Sequence, residues 1–262
     1  MGVHPDGKQR FRLTLHYDGS EFLGWQLQPR GRTVQGEVEA VLQRLTGARR
    51  PVVAAGRTDR GVHAVGQVAA VTLPSRWEAG ELHRALNALL PGDIWVESVL
   101  PVGAAFHPRY DALARSYRYQ LGLSAKAHSP FHRPWCWPLG RNVDPDLLHG
   151  AAALIPGERS FRPFAKAGQE ERGERCNVGE ARWLPWEDLG WAFHITADRF
   201  LHHMVRYLVG SMVDVARRRR SMAELQELLM DPATPLETSP PAPPGGLFLY
   251  RVHYPEGSSE LN

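Results

Sequence analysis

Residues 11–17 alternate between hydrophobic and polar side chains, and longer stretches place their hydrophobic residues at helical spacing. Because successive side chains of a strand point to opposite faces, the alternation predicts a half-buried strand. The turn residues Asp18-Gly19-Ser20 follow, and a helix is then predicted from the N-cap candidate Thr33 to Gly47. The chain is therefore expected to begin with a strand and a helix.

The next part of the chain predicts two strands, a helix and another strand. Hydrophobic runs at 51–55 and 62–73 are typical of buried strands, and the leucines of 78–90 share one helix face. Residues 94–99 return to a strand pattern after the turn at Pro91-Gly92. The predicted order in the first half is thus strand, helix, two strands, helix and strand.

The second half repeats this mixture of elements less clearly. Its periodicity predicts four strands, at 116–121, 181–185, 191–197 and 247–254, and three helices, at 147–154, 201–216 and 222–230. Asp144-Pro145 supplies a cap and a first-turn proline for the first of these helices. The six prolines of 231–246 predict an ordered or semi-rigid loop rather than a flexible linker.

Two halves with a similar order of strands and helices predict the α+β class. We expect two similar α+β halves of the ferredoxin-like type, with mixed, mainly antiparallel sheets that meet in a central cleft. The expected N-terminal domain is 11–110 and carries the loop of the central hairpin. The expected C-terminal domain is 111–255, and residues 1–10 and 256–262 are expected to be disordered tails.

Composition restricts the class of protein. At 262 residues, with 43% hydrophobic and 23% charged residues, the chain has ordinary globular values. The two cysteines, Cys136 and Cys176, are too few for a disulfide framework or a cysteine-based zinc site. The sequence shows neither a signal peptide nor an uncharged apolar run of membrane-spanning length, so we expect a cytoplasmic protein.

The basic residues are almost all arginine. Only Lys8, Lys126 and Lys166 are lysines among the 31 basic residues, and the formal net charge is +3. Arginine pairs with phosphate and stacks on bases, which suits RNA. A GC-rich coding bias explains the same composition equally well, so charge alone leaves nucleic-acid binding open.

One stretch concentrates ionisable side chains between two hydrophobic runs: Ala54-Ala55-Gly56-Arg57-Thr58-Asp59-Arg60-Gly61-Val62-His63-Ala64. Local chemistry predicts a hairpin loop here, because aspartate bonds its own backbone and glycine accepts positive φ. A catalytic interpretation is also open. Arg57 and Arg60 flank Asp59 and would favour its charged form in a partly desolvated site.

Residues 106–119 interleave cations with aromatic rings. Strand alternation places Tyr117 and Tyr119 on one face and Arg118 on the other. Such a pattern suits a groove in which bases stack and phosphates pair. It is equally typical of a half-buried strand whose tyrosines belong to the core.

The predicted helix 201–216 begins near a histidine pair and an arginine. Arg206 lies about 110° from the middle of the hydrophobic stripe, hence on its flank. There it either faces a neighbouring cleft or extends from the edge of the core. His202 and His203 would lie about 100° apart on a helix and have no further ligands at metal-binding spacing, so we predict no metal site.

These stretches resemble the motifs of the TruA family of tRNA pseudouridine synthases. The family signature is Ala-Gly-Arg-Thr-Asp-Ala-Gly-Val-His, whose catalytic aspartate matches Asp59, and this chain differs from it at Arg60. Phe-His-x-Arg followed by Arg-x-Tyr-x-Tyr matches at Tyr117, the tyrosine that lies against the target base in the family. The arginine of His-Met-Val-Arg, which pairs with the catalytic aspartate, matches Arg206. Arg57 is expected to hold the place of the flipped-out nucleotide or to hold its phosphate.

Matches to family motifs extend from about residue 11 to 255 and are weakest at 159–180. The resemblance implies isomerisation of uridine to pseudouridine at positions 38–40 of the tRNA anticodon stem-loop. It also implies that the central cleft binds RNA, that no cofactor takes part, and that a homodimer presents one tRNA across both subunits.

Two other functions fit parts of the sequence. A non-catalytic RNA-binding module would use the arginines and tyrosines alone, and it would tolerate Asp59→Asn. A nucleoside hydrolase would need a second carboxylate to activate water, for which Asp18 and Asp111 are the conceivable candidates, and it would release free uracil.

Overall fold

The computed structural model of the protein describes residues 7–141, 143–166 and 173–256. Its strands are β1 (Lys8–Tyr17), β2 (Val53–Ala54), β3 (His63–Pro74), β4 (Ile94–Val102), β5 (Ala114–Gly122), β6 (Trp137–Pro138), β7 (Gly157–Ser160), β8 (Arg175–Trp186), β9 (Gly190–Ala197) and β10 (Leu247–His253). Its α-helices are α1 (Val34–Thr46), α2 (Ala79–Leu89), α3 (Pro145–Ala153), α4 (Met204–Ala216) and α5 (Met222–Met230). Helices are interspersed among strands that pair mainly antiparallel, so the predicted α+β class is confirmed.

The chain divides into two units. The first comprises Met1–Leu113 and Leu249–Asn262, and the second comprises Ala114–Phe248. Residues 1–6 and 257–262, which belong to the expected tails, lie outside the described part of the chain. Because β10 begins in the second unit and continues in the first, the chain returns to the first unit near its end.

The sheet of the first unit has the strand order β4-β1-β3, with β10 beside β3 and the short β2 also paired to β3. β1 runs antiparallel to both of its neighbours. Phe11, Leu13 and Leu15 project from one face of β1 and are almost completely buried. The alternation predicted for 11–17 is therefore confirmed, and it supplies one layer of the core of this unit.

β1 begins at Lys8, three residues before the predicted start and within the stretch expected to be a tail. Lys8, Gln9 and Arg10 pair with residues at the far end of β3. The Arg10 Nη1 group also donates to Thr72 Oγ1 at 3.0 Å. Long-range pairing thus orders three polar residues whose own sequence carries no strand periodicity.

The predicted helix from Thr33 to Gly47 is confirmed as α1. The Thr33 side chain accepts a hydrogen bond from the Gly36 N–H at 3.2 Å, as expected for an N-cap. Gly47 ends the helix in the left-handed region, with φ +72°, and its N–H donates to the Gln43 carbonyl. Both ends are fixed by residues that lie within one turn, which is why the sequence alone predicts them.

The sheet of the second unit has the strand order β5-β9-β8-β7, with antiparallel neighbours, and β6 joins β5 in parallel. The prediction of mixed, mainly antiparallel sheets is confirmed. β6 and β7 were not predicted, and β8 begins at Arg175 rather than at 181 because it pairs with β7 as well as with β9. Residues 167–172, within the weakly matching stretch, lie outside the described residues.

The helices of the second unit follow local capping chemistry with one exception. Asp144 caps α3 by accepting from the N–H groups of Asp146 and Leu147, as predicted. α4 begins at Met204 rather than at 201, because His203 adopts a left-handed conformation with φ +65°. No helix within the described ranges reaches the length and hydropathy that a membrane span requires.

Candidate active site

The loop between β2 and β3 carries the motif that the sequence singled out. The Ala55 N–H donates to the Val68 carbonyl at 2.8 Å, and the Val62 N–H donates to the Asp59 carbonyl at 3.1 Å. Between these two bonds Thr58 is buried, Asp59 is half-buried and Arg57 is exposed. The loop is thus the predicted turn, and it holds its carboxylate at the boundary between core and solvent.

A second segment of the first unit, residues 18–25, packs against the backbone of this loop. The Trp25 N–H donates to the Thr58 carbonyl at 3.0 Å. Gly24 has φ +103°, and a Cβ atom built on it would lie 2.6 Å from the Thr58 carbonyl oxygen. A Cβ on Gly19 would lie 2.1 Å from the Val62 carbonyl oxygen. Two glycines therefore permit a backbone-to-backbone approach that no other residue allows.

Buried polar side chains support the same loop from the sheet. The Tyr17 hydroxyl lies 2.8 Å from Thr58 Oγ1. Gln67 Nε2 lies 3.3 Å from the Tyr17 oxygen and 2.8 Å from the Gly56 carbonyl oxygen. Burial raises the pKa of Tyr17 to about 12, so the phenol stays protonated at neutral pH. Thr58 is thus held both by its carbonyl and by its hydroxyl.

The two carboxylates that a hydrolase would recruit are both engaged in turns. Asp18 Oδ1 accepts from the N–H and the hydroxyl of Ser20 and lies 3.1 Å from Nδ1 of the buried His63. Asp111 Oδ2 accepts from the His107 N–H at 2.9 Å. Their contacts are those of structural turn residues.

In the second unit, Tyr117 and Tyr119 lie on β5 and differ in environment. Tyr119 is completely buried, and its hydroxyl donates to the Pro243 carbonyl at 2.9 Å. Tyr117 is only half-buried, and its ring packs edge-on against Phe200 with 4.9 Å between centroids. Of the two alternatives left open by the sequence, the core interpretation holds for Tyr119, while Tyr117 is only partly buried.

Arg206 lies in the first turn of α4 and is half-buried, as expected for the flank of the hydrophobic stripe. Its Nε donates to the Ala242 carbonyl at 2.7 Å, and the Ala242 N–H donates to the Arg206 carbonyl at 2.9 Å. A Cβ on Gly210 would lie 2.2 Å from the Pro240 carbonyl oxygen. The proline-rich segment is therefore packed closely along α4, and it orients the guanidinium.

The prediction that His202 and His203 lie on a helix is wrong. His202 and His203 precede α4 instead of lying on it, because the left-handed conformation of His203 delays the start of the helix to Met204. Their rings lie 4.1 Å apart rather than on separate helix faces.

The structure places the four predicted site residues on two units. Arg57 and Asp59 share one loop of the first unit, and Tyr117 and Arg206 belong to the second. Sequence reasoning missed the residues that support the loop. One signal was present: Gln67 is an amide within an otherwise hydrophobic strand, and it is fully buried.

The sequence is similar to known proteins over most of its length. The family described as tRNA pseudouridine synthase matches residues 14–111 and 151–255. A protein of Dictyoglomus turgidum named tRNA pseudouridine synthase A is 40% identical over 248 residues, covering 93% of this chain and 99% of its own. Proteins with the same name from Chlorobium luteolum and Porphyromonas gingivalis are 40% and 37% identical, covering 95% and 94% of this chain and 96% and 97% of their own. The similarity spans nearly the whole length of both partners in each case.

Proposed function

The chain belongs to the tRNA pseudouridine synthase family, and from that premise we propose that it converts uridine to pseudouridine at positions 38–40 of the tRNA anticodon stem-loop, with Asp59 as the catalytic residue. The enzyme is an isomerase, and its substrate is a tRNA. The positions and the role of Asp59 rest on the motif resemblance and on the environment of the loop.

The reaction exchanges one bond of the ribose for another. The bond between C1′ and N1 of uracil breaks, the base turns, and C1′ joins C5 of the same base. The hydrogen on C5 leaves as a proton, and N1 gains one, so no water is consumed. A single carboxylate that captures an electrophile and later releases it suffices, in contrast to the two groups needed when water must be activated.

The position of Asp59 is the observation that carries the proposal. It is half-buried on a loop whose backbone is bonded by Trp25 and packs against Gly24. The preceding residue, Thr58, is buried and is bonded by the Tyr17 hydroxyl. A carboxylate on such a loop is preorganised, so orienting it adds little to the activation free energy of the reaction. The turn contacts of Asp18 and Asp111 favour isomerisation over hydrolysis, because hydrolysis needs a second carboxylate that is free to activate water.

The other predicted residues complete the proposal. A base inside an RNA stem must leave the stack before its glycosidic bond can be reached. In the proposed roles the Tyr117 ring stacks on the extruded base, and Arg57 holds the place of the extruded nucleotide or holds its phosphate. Arg206 is proposed to pair with the catalytic carboxylate. A cytoplasmic homodimer belongs to the same proposal.

Tritium release tests the reaction itself. Unmodified tRNA that carries tritium at C5 of uridine is incubated with the enzyme, and the released label is counted, because formation of the C1′–C5 bond must expel it. The product is then mapped for pseudouridine, which we expect at positions 38, 39 and 40. Release of free uracil would indicate the hydrolase, and tRNA binding without release of label would indicate the RNA-binding module.

A further inference from the structure

We propose that Tyr17 and Gln67 are positioning residues, which act through the Thr58 hydroxyl to hold Asp59 in its productive orientation. The inference rests on the proposed catalytic role of Asp59. None of the three supporting side chains is expected to touch the substrate, since Tyr17, Thr58 and Gln67 are 4%, 6% and 0% exposed.

The direction of the two hydrogen bonds made by Gln67 follows from the contacts. The Gly56 carbonyl accepts only, so the Gln67 atom that lies 2.8 Å from it must be the amide nitrogen. The same nitrogen is 3.3 Å from the Tyr17 oxygen, which therefore accepts from Gln67. The Tyr17 hydroxyl and Thr58 Oγ1 lie 2.8 Å apart, and either of the two hydroxyls can be the donor. Gln67, Tyr17 and Thr58 thus form one continuous hydrogen-bonded chain.

This network connects the sheet to two points of the loop that carries Asp59. Gln67 lies on β3 and bonds Gly56, where the loop leaves its first strand, and Tyr17 lies at the end of β1 and bonds Thr58. The main-chain bond from Trp25 holds only the carbonyl of Thr58. The hydroxyl bond therefore adds a second point of attachment on the residue that directly precedes Asp59, and rotation of that residue would displace the carboxylate.

Because the network is buried, it both stabilises the loop and favours a single loop conformation. A hydrogen bond in a low-dielectric interior is stronger than one in water, and an unpaired partner there is costly. A displacement of about 1 Å at a reacting group lowers the rate of the reaction by a factor on the order of a hundred. Loss of the Tyr17 hydroxyl should therefore lower the rate of the chemical step and leave the affinity for tRNA unchanged.

The test uses the full enzyme and separates rate from binding. Tyr17→Phe and Thr58→Val are each expected to lower kcat for tritium release by about tenfold or more, with a tRNA Kd within about twofold of wild type. Because both act through one bond, the double variant should lose little beyond either single variant. Thr58→Ser keeps the hydroxyl and should recover most of kcat.

Thr14→Val is the matched control, since Thr14 Oγ1 accepts from Ser98 Oγ at 3.0 Å elsewhere in the same sheet. It removes a hydroxyl hydrogen bond away from the loop and should leave kcat near wild type. If kcat of the folded Tyr17→Phe and Thr58→Val enzymes stays within twofold of wild type, or if the two losses simply add, the inference is wrong. If Tyr17→Phe does not fold, the Thr58→Val and Thr58→Ser pair decides. Absence of tritium release by wild type would instead contradict the proposed function.

Discussion

The carbonyl oxygen of Thr58 would lie 2.6 Å from a Cβ atom on Gly24, so these two backbones approach more closely than any side chain permits. Gly24 also has φ +103°, a conformation that L side chains rarely adopt. The residue after Thr58 is Asp59. The close approach therefore links a glycine 35 positions earlier in the chain to the placement of the proposed catalytic carboxylate.

Gly24→Ala should disrupt this packing. We expect the free energy of unfolding to fall by roughly 3 kcal/mol, from backbone strain and overpacking together, and kcat to fall at least about tenfold. Gly47→Ala is the control, because Gly47 has φ +72° but no atom within 4 Å of its Cβ position. It should cost only about 1 kcal/mol and leave kcat unchanged. Equal effects of the two substitutions on kcat would show that the close approach does not matter.

The ring of Tyr117 should matter more for binding than its hydroxyl. Stacking of an aromatic ring on a base is worth about 1–3 kcal/mol, so Tyr117→Leu should raise the Kd for tRNA by roughly fivefold to a hundredfold. Tyr117→Phe keeps the ring and its edge-on contact with Phe200, and its Kd should stay near wild type. Filter binding at fixed salt measures both. A Kd for Tyr117→Leu equal to that of wild type would argue against stacking.

Arg206→Lys should lower activity although the charge is kept. The Arg206 guanidinium bonds the Ala242 carbonyl through Nε and can present further N–H groups to an anion, whereas an ammonium is a point charge without this fork. We expect kcat to fall by about tenfold. Arg220→Lys is the matched control: Arg220 likewise holds the proline-rich segment, through Ser239 Oγ and the Glu237 carbonyl. Similar losses of kcat in both variants would reduce the role of Arg206 to holding that segment.

Stability at alkaline pH should depend on Tyr17. Burial raises the pKa of Tyr17 from 10.0 to about 12, so its contribution to stability is present below pH 10 and is lost as the pH rises through about 12. The gap in unfolding free energy between wild type and Tyr17→Phe should therefore narrow by about 1 kcal/mol between pH 8 and pH 11. Urea unfolding measures the gap, and for the non-titrating Thr14→Val it should not change with pH. A gap for Tyr17→Phe that is constant or widens would contradict burial as the cause.

What could be predicted from sequence was local. The caps of α1 and α3 depend on Thr33 and Asp144, each bonded to groups two or three residues away, and both were predicted. The loop that carries Asp59 could be predicted because the whole motif lies within one continuous stretch, residues 54–64. Elements with no local signal were missed, such as β7, a strand of four residues that exists through its pairing with β8.

The support of the site could not be predicted because its contacts are distant in sequence. Tyr17 bonds Thr58 across 41 positions and Gln67 across 50, and no periodicity reports such a pairing. Likewise, the return of β10 to the first unit depends on a sheet neighbour far away in the chain. The predicted start of α4 was three residues too early, because the helical spacing of hydrophobic residues already includes Leu201. The positive φ of His203 prevents the helix from extending back to that residue.

Tritium release from C5-labelled tRNA by wild type, Asp59→Asn and Asp111→Asn tests the central claim most directly. We expect wild type to release the label and Asp59→Asn to lose roughly a thousandfold or more in kcat while binding tRNA normally. Asp111→Asn, in which a turn residue keeps its acceptor oxygen, should remain within about twofold of wild type. Undiminished release by a folded Asp59→Asn enzyme would contradict the account, because the bond exchange would then proceed without its proposed carboxylate.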